Sequence, residues 1–310
     1  MSEIQGTVLQ GINNIFRIKT DEGDVYQCRI KGKILTGAEN EYNPLAPGDR
    51  IVFEPYQYNE GMVLRRLDRR NSFRRWNLKR ESVQTIAANI DRLFCITSVS
   101  LPEFRPKFVD RVCVCAGTIP VTIVLNKIDL GIPQEVLEEL NYYESMGYEI
   151  IMVSALDDVT LKPLEEGIKG KRTAFFGQSG VGKSTLINRL IPDAGQSTGE
   201  VSKKYNRGKH TTNFAKWIES EDFSIIDTPG VREIEIPLMS PYDIGYSFKD
   251  FSPYASQCRY SPCLHDEEPE CAVRTAVEEG KISVDRYESY LKIIYTMIER
   301  RKKRYLGMTE

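Results

Sequence analysis

Residues 177–184 of this chain read Gly-Gln-Ser-Gly-Val-Gly-Lys-Ser, which is the strongest indication of its fold class. Its pattern, with four residues between the outer glycines and Lys-Ser at the end, is typical of a loop whose backbone N–H groups cradle phosphates. Residues 172–176 before the loop predict a buried strand, and residues 183–190 after it predict a helix. A strand, a glycine-rich loop and a helix in this order predict an α/β domain that binds a nucleotide.

The phosphate loop contains the groups that nucleotide chemistry needs. We expect Lys183 to reach the β- and γ-phosphates and the hydroxyl of Ser184 to ligate Mg²⁺. The nucleotide-binding residues predicted in this loop are Gly177, Gln178, Ser179, Gly180, Val181, Gly182, Lys183, Ser184 and Thr185.

A carboxylate and a glycine follow the next predicted strand downstream. Residues 223–226 are apolar, and Asp227-Thr228-Pro229-Gly230 comes directly after them. At the end of such a strand Asp227 can hold Mg²⁺ through water, and Gly230 can offer its N–H to the γ-phosphate. We therefore predict that Asp227 and Gly230 take part in catalysis with Lys183.

Between these two segments lies Gly208-Lys209-His210-Thr211-Thr212, flanked by polar and basic residues. A threonine in such a loop can complete the Mg²⁺ shell when the γ-phosphate is present. Thr212 is favoured over Thr211 for this role. The predicted magnesium ligands are therefore Ser184, Thr212 and Asp227.

Upstream of the phosphate loop, a base-reading pattern follows another predicted strand. Residues 121–125 are β-branched and apolar, which favours a parallel strand, and Asn126-Lys127-Ile128-Asp129 follows at its carboxyl end. The Asp129 carboxylate only accepts hydrogen bonds, so it suits the adjacent ring and exocyclic N–H donors of guanine. Adenine would leave this acceptor unpaired, which disfavours ATP.

A second strand, predicted at residues 148–153, ends at Ser154-Ala155-Leu156. This pattern resembles the loop whose backbone N–H meets the guanine O6 atom. We expect Ser154 and Ala155 to contact the base, Asn126 to tie the loops together and the Lys127 stem to lie over the base. Together, Asn126, Lys127, Ile128, Asp129, Ser154 and Ala155 predict a guanine nucleotide as the ligand.

The base-reading loop comes before the phosphate loop, which reverses the order of ordinary GTP-binding proteins. In this order, the motifs resemble those of the circularly permuted GTPases. With its flanking regions, the chain is similar to the small-ribosomal-subunit-dependent GTPase A family of bacteria. The resemblance implies an N-terminal OB-fold, a permuted GTPase domain and a mainly helical zinc-binding domain. It also implies the small ribosomal subunit and its rRNA as partners, and a role in late maturation of that particle.

The N-terminal residues, up to about residue 67, have the pattern of a small β-barrel. β-rich segments at residues 6–19, 25–31, 50–54 and 61–67 are separated by turn signals such as Asn13-Asn14 and Pro47-Gly48-Asp49. An OB-fold fits this pattern, and an SH3-like barrel fits it almost as well. The predicted domains are residues 1–67, 68–235 and 236–310.

A dense basic stretch joins the barrel to the GTPase domain. The net charge of −2 and the pI near 6.0 give no global nucleic-acid signature, so any RNA contact must be local. The stretch consists of Arg65, Arg66, Arg69, Arg70, Arg74, Arg75, Lys79 and Arg80, interleaved with Phe73 and Trp76. Such a segment suits phosphate pairing and base stacking, and a solvated linker is the alternative.

Cys258, Cys263, His265 and Cys271 lie within fourteen residues in the C-terminal part. Three thiolates and one imidazole form the ligand set of a structural Zn²⁺ site. Disulfide pairing is disfavoured because the chain has seven cysteines, an odd number, and is expected to be intracellular. With all four positions filled, the zinc would fold the domain and do no chemistry. We expect the other cysteines, Cys28, Cys95, Cys113 and Cys115, to lie in the core.

The last segment, residues 283–304, predicts an amphipathic helix. Tyr287, Leu291, Ile294 and Ile298 would lie on one face. The basic residues at its end suit the negative pole of the helix dipole, and rRNA is a second explanation for them.

We predict that the protein hydrolyses GTP to GDP and phosphate, with Lys183, Mg²⁺ and backbone amides stabilising the transferred group. Val231 follows Gly230, so the water-positioning glutamine of Ras-like enzymes is missing, as it also is in the resembling family. His210 is the nearest substitute, because an imidazole can orient a water near neutral pH. The alternative is that His210 only packs within its loop. Slow intrinsic turnover, stimulated by a partner, is expected.

Two other functions fit the same motifs. The chain could be an RNA-binding assembly module that uses GTP as a switch with negligible hydrolysis, or it could be a GTPase that acts away from ribosomes. The first residues do not form a signal peptide, and no apolar run is long enough to span a bilayer. We therefore expect a cytoplasmic protein, without a membrane partner and monomeric.

Overall fold

The computed structural model describes residues 3–30, 41–192 and 214–306. The chain divides into two compact units. The first contains Met1–Phe104 and Thr118–Glu233, and the second contains Arg105–Gly117 and Ile234–Glu310. The backbone therefore passes between the units three times, because residues 105–117 belong to the second unit.

A five-stranded barrel begins the first unit. Its strands are β1 (Ile4–Ile12), β2 (Ile15–Thr20), β3 (Val25–Ile30), β4 (Arg50–Gln57) and β5 (Glu60–Arg66). They follow the order β1-β2-β3-β5-β4, and β4 pairs back with β1 to close the barrel, with β3 parallel to β5. Alternate residues such as Val8, Ile18 and Phe53 fill the interior. This Greek-key order is that of an OB-type barrel, which confirms the OB-fold over the SH3-like alternative.

The basic stretch after the barrel is largely folded rather than an open linker. Residues 72–77 and 82–88 form an antiparallel hairpin, β6 (Ser72–Asn77) and β7 (Ser82–Ala88). Just before it, Arg69 makes a two-pronged ion pair with the fully buried Asp49, at 2.7 and 2.8 Å, and also contacts Glu41. The segment is held by charge-assisted hydrogen bonds of the strong, bidentate kind.

A mostly parallel set of six strands follows in the first unit. Its strands are β8 (Arg92–Ser98), β9 (Val121–Asn126), β10 (Glu149–Met152), β11 (Arg172–Gly177), β12 (Lys216–Glu219) and β13 (Ser224–Asp227). They are ordered β10-β9-β8-β11-β13-β12, with only β12 antiparallel to its neighbours. One register pair, Gln10 with Lys216, joins β12 to β1 of the barrel.

Helices and apolar strand residues complete the core of this sheet. The helices are α2 (Gln134–Ser145), α3 (Asp158–Ile168) and α4 (Lys183–Leu190), with α1 (Pro106–Ala116) lying in the second unit. Phe94, Phe175 and Ile225 of neighbouring strands pack with Leu186 of α4. Because the strands β8, β9, β10, β11 and β13 are parallel, their carboxyl ends share one edge, where ligands of open α/β sheets bind.

The second unit is helical, as predicted for the C-terminal region. It combines α1 with α5 (Pro241–Gly245), α6 (Ser252–Ala255), α7 (Ala272–Glu278) and α8 (Val284–Leu306). Arg286 of α8 is buried between Asp110 of α1 and Asp250, with Nε at 3.0 Å from the Asp250 carboxylate. Its guanidinium also lies 4.7 Å from the centre of the Phe248 ring. A buried arginine with two carboxylates holds α1 against α8.

The buried face of α8 differs from the predicted one. Tyr290, Ile293 and Met297 are buried together with Arg286, whereas Tyr287, Leu291 and Ile298 are only half-buried. Of the predicted face, only Ile294 is fully buried. The shift arises because Arg286 belongs to the buried face, and a hydropathy pattern excludes an arginine from a core.

The four cysteines outside the histidine cluster are all buried, as expected: Cys28, Cys95, Cys113 and Cys115. Within the part of the chain that the structure describes, no helix is both long enough and apolar enough to cross a membrane.

Candidate nucleotide site and metal centre

The phosphate loop curls between the end of β11 and the start of α4. Gly180 and Gly182 have φ angles of +87° and +93°, which favour glycine. A Cβ atom on Gly182 would lie 2.4 Å from the Nδ2 atom of Asn126, and one on Gly177 would lie 2.1 Å from the carbonyl oxygen of Ile96. The glycines therefore permit both the turn and the close approach of neighbouring strands.

Lys183 lies inside this loop with only 7% of its surface exposed. Its Nζ atom donates to the carbonyl oxygens of Gly177 and Gln178, at 3.0 and 3.1 Å. Burial lowers the pKa of Lys183 to about 8, and the nearby Asp227 carboxylate partly offsets this effect. A desolvated ammonium that donates to backbone carbonyl oxygens is well suited to meet an anion.

Asn126 connects the base-reading loop to the two loops beside it. Its Nδ2 atom donates to the carbonyl of Val181 in the phosphate loop at 2.8 Å. Its Oδ1 atom accepts from the backbone N–H of Ala155 at 3.3 Å. One fully buried side chain thus links three loops that are far apart in the sequence.

Asp129 and Ser154 form a pair at the same end of the sheet. The Ser154 hydroxyl donates to Oδ1 of Asp129 at 2.5 Å and accepts from the backbone N–H of Leu156 at 3.2 Å. These bonds orient the carboxylate from one side. Ile128 and Asp129 lie in a short 3₁₀ turn, Ile128–Leu130, that follows directly after β9.

Lys127 adopts a left-handed conformation, with φ of +64°. Its amine donates to the carbonyls of Ser100 and Leu101, at 3.2 and 2.6 Å, in the segment that follows β8. Burial lowers the pKa of Lys127. The amine of the predicted base-covering lysine is thus bonded to a neighbouring loop, a contact that no sequence pattern indicates.

The Asp227–Gly230 segment reaches the phosphate loop from β13. Asp227 is buried, and the Thr228 hydroxyl donates to the carbonyl of Phe175 at 2.6 Å. Gly230 is so close to the loop that a Cβ atom there would lie 2.9 Å from Cα of Ser179 and 3.2 Å from Nζ of Lys183. The amine of Lys183 and the backbone of Gly230 therefore lie next to each other at the phosphate loop.

The remaining predicted nucleotide residues are placed as follows. Ser184 and Thr185 stand in the first turn of α4, half-buried. The segment with His210, Thr211 and Thr212 lies outside the described residues.

The Cys/His cluster of the second unit brings four ligand atoms within 4.8 Å of one another. Cys271 Sγ lies 3.8 Å from the sulfurs of both Cys258 and Cys263, and His265 Nδ1 lies 3.5 Å from the sulfurs of Cys258 and Cys271. Two Zn–S bonds of about 2.3 Å at a tetrahedral angle separate their sulfurs by about 3.8 Å, and a sulfur and a nitrogen by about 3.5 Å. The cluster could therefore hold a zinc ion.

Bonds from α8 support this cluster. The Tyr287 hydroxyl donates to the His265 carbonyl at 2.7 Å, and the Tyr290 hydroxyl donates to the Leu264 carbonyl at 2.5 Å. Burial raises the pKa of Cys263 to about 12. Thiols in such a place ionise only beside a compensating cation, which agrees with a metal-ligating role.

A base-reading loop, a phosphate loop and an Asp-x-Pro-Gly segment meet at one sheet edge in permuted sequence order, which defines the protein as a circularly permuted GTPase. The RsgA GTPase family model matches residues 66–237, and the RsgA N-terminal domain model matches residues 5–63. The chain belongs to the RsgA GTPase family and is a GTP hydrolase.

Similar proteins cover almost the whole chain. The small ribosomal subunit biogenesis GTPase RsgA of Borreliella burgdorferi (strain ZS7) is 41% identical over 298 residues, covering 95% of this chain and 96% of that protein. A protein of the same name from Bacteroides fragilis (strain ATCC 25285) is 36% identical over 299 residues, covering 94% and 96%.

Two solved structures have the same architecture. The crystal structure of YjeQ from Thermotoga maritima superposes with a TM-score of 0.71 at 29% identity, covering 96% of this chain and 99% of that one. YloQ, described as a circularly permuted GTPase, gives a TM-score of 0.69 at 26% identity, with 96% of each chain covered. The permuted fold predicted from the motif order is confirmed.

Proposed function

We propose that this GTPase hydrolyses GTP to GDP and phosphate and thereby assists late maturation of the small ribosomal subunit, binding its rRNA. The observation that carries the nucleotide part is the Asn126 side chain, which bonds to the phosphate loop and to the Ser154-Ala155 loop at once. The names of the similar proteins from Borreliella burgdorferi and Bacteroides fragilis support the ribosomal part. Such a role belongs in the cytoplasm, as expected from the sequence.

In this proposal the phosphate loop binds the phosphates and Asp129 reads guanine through its adjacent N–H donors. Lys183 turns from the Gly177 and Gln178 carbonyls to the β- and γ-phosphates, and the Gly230 N–H meets the γ-phosphate. Mg²⁺, implied by GTPase chemistry, would be held by Ser184 and Asp227 with Thr212. His210 would orient the attacking water, since Val231 cannot.

The Cys258, Cys263, His265 and Cys271 cluster would hold one structural Zn²⁺ in this proposal. Four protein ligands fill a tetrahedral shell, so no position remains for substrate or water. The ion would stabilise the second unit and take no part in hydrolysis.

Several of the basic residues considered for RNA binding already have acidic partners within the protein. Arg65, Arg66, Arg69 and Arg70 pair with Glu3, Glu41, Asp49 and Asp91, and on α8 Arg300 pairs with Glu235. Arg74, Lys79 and Arg80 are exposed on the β6–β7 hairpin, and the ion pairs of the described residues do not include them. We propose that these three cations contact rRNA phosphates.

The first experiment measures phosphate release from GTP and from ATP, with and without purified small ribosomal subunits. Slow hydrolysis of GTP alone, rising strongly with the particles, is expected. Turnover indifferent to the particles would favour a GTPase acting away from ribosomes. Binding without turnover in either condition would favour a GTP-switched assembly module.

The hairpin is tested with a charge-matched pair of variants. Lys79→Ala/Arg80→Ala removes two exposed cations of the hairpin, and Lys162→Ala/Lys169→Ala removes one exposed cation of α3 and one directly after it. Binding to the small subunit should weaken about tenfold or more for the first variant only, and its salt dependence should fall by about two counterions. Equal effects of both variants would assign the hairpin no special contact.

A further inference from the structure

A short parallel bridge joins the phosphate loop to the residues that follow Gly230. The Ser179 N–H donates to the Val231 carbonyl at 3.0 Å, and the Val231 N–H donates to the Gly177 carbonyl at 3.4 Å. The side chain of Gln178 extends this bridge by donating from Nε2 to the Arg232 carbonyl at 3.0 Å. Gln178 is 7% exposed, so this amide bond is made largely out of water.

The bridge fixes where Gly230 stands. Gly230 directly precedes the bridged residues, and its Cα packs against the loop so tightly that a Cβ there would lie 2.9 Å from Cα of Ser179. A residue whose N–H is to meet a γ-phosphate must be held to a fraction of an ångström, because misplaced groups lose most of their catalytic effect. The bonds of residues 231–232 to residues 177–179 provide this constraint.

Gln178 contacts both Lys183 and the segment that follows Gly230. Its backbone carbonyl accepts a hydrogen bond from Lys183 Nζ at 3.1 Å, while its side-chain amide donates to the backbone carbonyl of Arg232. Since Val231 has no polar side chain, Val231 itself can act on the reaction only through the position of its backbone. A buried amide that sets this position has a role distinct from binding phosphate.

We propose that Gln178 is a positioning residue for GTP hydrolysis, acting through the Arg232 carbonyl to hold the Gly230 N–H in place for the γ-phosphate. This inference rests on the proposed role of Gly230. It assigns to Gln178 an effect on the chemical step and on recognition of the third phosphate. GDP, which lacks that phosphate, would not depend on it.

The test uses the full-length protein and a near-isosteric substitution. Gln178→Met keeps the length of the side chain and removes the donor, and Gln178→Glu replaces the donor with an acceptor that faces a carbonyl. Gln134→Met is the matched control, because its exposed amide donates only to Glu138 on the surface of α2. Single-turnover hydrolysis at saturating GTP, affinities for GDP and for a non-hydrolysable GTP analogue, and Tm are measured for each.

Both Gln178 variants should lower the single-turnover rate constant about tenfold or more and weaken the GTP analogue several-fold. The GDP affinity of these variants should stay within about twofold of that of the unsubstituted protein. Gln134→Met should change neither the rate constant nor the two affinities. The Tm shows which Gln178 variants are folded. The inference would be overturned if a folded variant kept an unchanged rate constant, or if its affinities for GDP and for the GTP analogue fell equally. If the unsubstituted protein itself failed to hydrolyse GTP, the proposed function would fail instead.

Discussion

The phosphate loop and the Cys/His cluster are both short motifs, yet they are organised in different ways. The loop is shaped by bonds to the rest of its unit: Asn126 holds Val181, and the neighbouring strands leave room only for glycine. The cluster, by contrast, gathers four potential metal ligands within 4.8 Å of one another, and two tyrosines of α8 donate to the backbone carbonyls of His265 and Leu264. The loop is a preformed binding site, whereas the cluster resembles a site that its ion helps to fold.

The fold therefore depends in different ways on nucleotide and on metal. A ligand that binds a preformed site adds stability by mass action and leaves the empty fold intact. A metal that gathers thiolates contributes its binding free energy to folding itself. Removal of nucleotide and removal of metal should therefore have effects of different kinds, and four experiments test this contrast.

The largest effect is expected from loss of Cys271, one of the four proposed zinc ligands. Cys271→Ser should abolish zinc binding and unfold the second unit, since structural zinc contributes on the order of 10 kcal/mol. Zinc content and amide hydrogen exchange of α8 measure the outcome. Because Arg286 joins α8 to Asp110, α1 should lose protection together with α8.

A buried cysteine of the same unit supplies the control. Cys115→Ala should keep the zinc and cost only about 1 kcal/mol. If Cys271→Ser kept full protection in α8, the cluster would be a passive site like the phosphate loop, and the contrast would disappear.

The next largest effect is expected at the phosphate loop. Lys183→Ala should lower the rate constant of GTP hydrolysis by about 10²-fold to 10³-fold, because it removes charge stabilisation in the transition state. Tm without nucleotide should not fall, since burying this ammonium is unfavourable. The exposed Lys162→Ala on α3 should match the unsubstituted protein. A large drop in Tm would show that the loop, too, needs its own residues to fold.

Base choice should respond to the carboxylate of Asp129. Asp129→Asn offers an N–H where guanine also has one, so GTP should bind about 10²-fold more weakly. Xanthosine triphosphate, whose base has a carbonyl in place of the exocyclic amine, should bind better than it does to the unsubstituted protein. Competition titrations of the two nucleotides measure the switch, and equal losses for both would argue against base reading by Asp129.

The fold followed from sequence where the signal was local and periodic. The strand, loop and helix around residues 172–190 occur within a residue of their predicted bounds, since apolar runs and glycines mark them directly. The OB-type order of the barrel required the pairing of β3 with β5, which adjacent residues do not encode.

The misplaced face of α8 and the inclusion of α1 in the second unit have a common cause. Arg286, Asp110 and Asp250 are charged residues that lie buried only because they pair with each other across the chain. A hydropathy pattern assigns each of them to the surface. The bridge between Gln178 and Arg232 escaped prediction for a similar reason, since its acceptor is a backbone carbonyl.

The smallest expected effect is a pH dependence that belongs to the phosphate loop. Burial lowers the pKa of Lys183 to about 8 in the free protein, below its ordinary value of 10.5. The free-energy cost of burying the ammonium is therefore fully present below about pH 8. It is relieved as the pH rises towards 10.5, the ordinary pKa that the amine has in the unfolded chain. Phosphate binding requires the protonated amine, so GDP affinity should fall about tenfold between about pH 7 and pH 9. Dividing this GDP affinity by the GDP affinity of Lys183→Met at each pH removes the contribution from the titration of guanine itself. If the two affinities changed with pH in parallel, the amine of Lys183 would stay protonated in the empty loop.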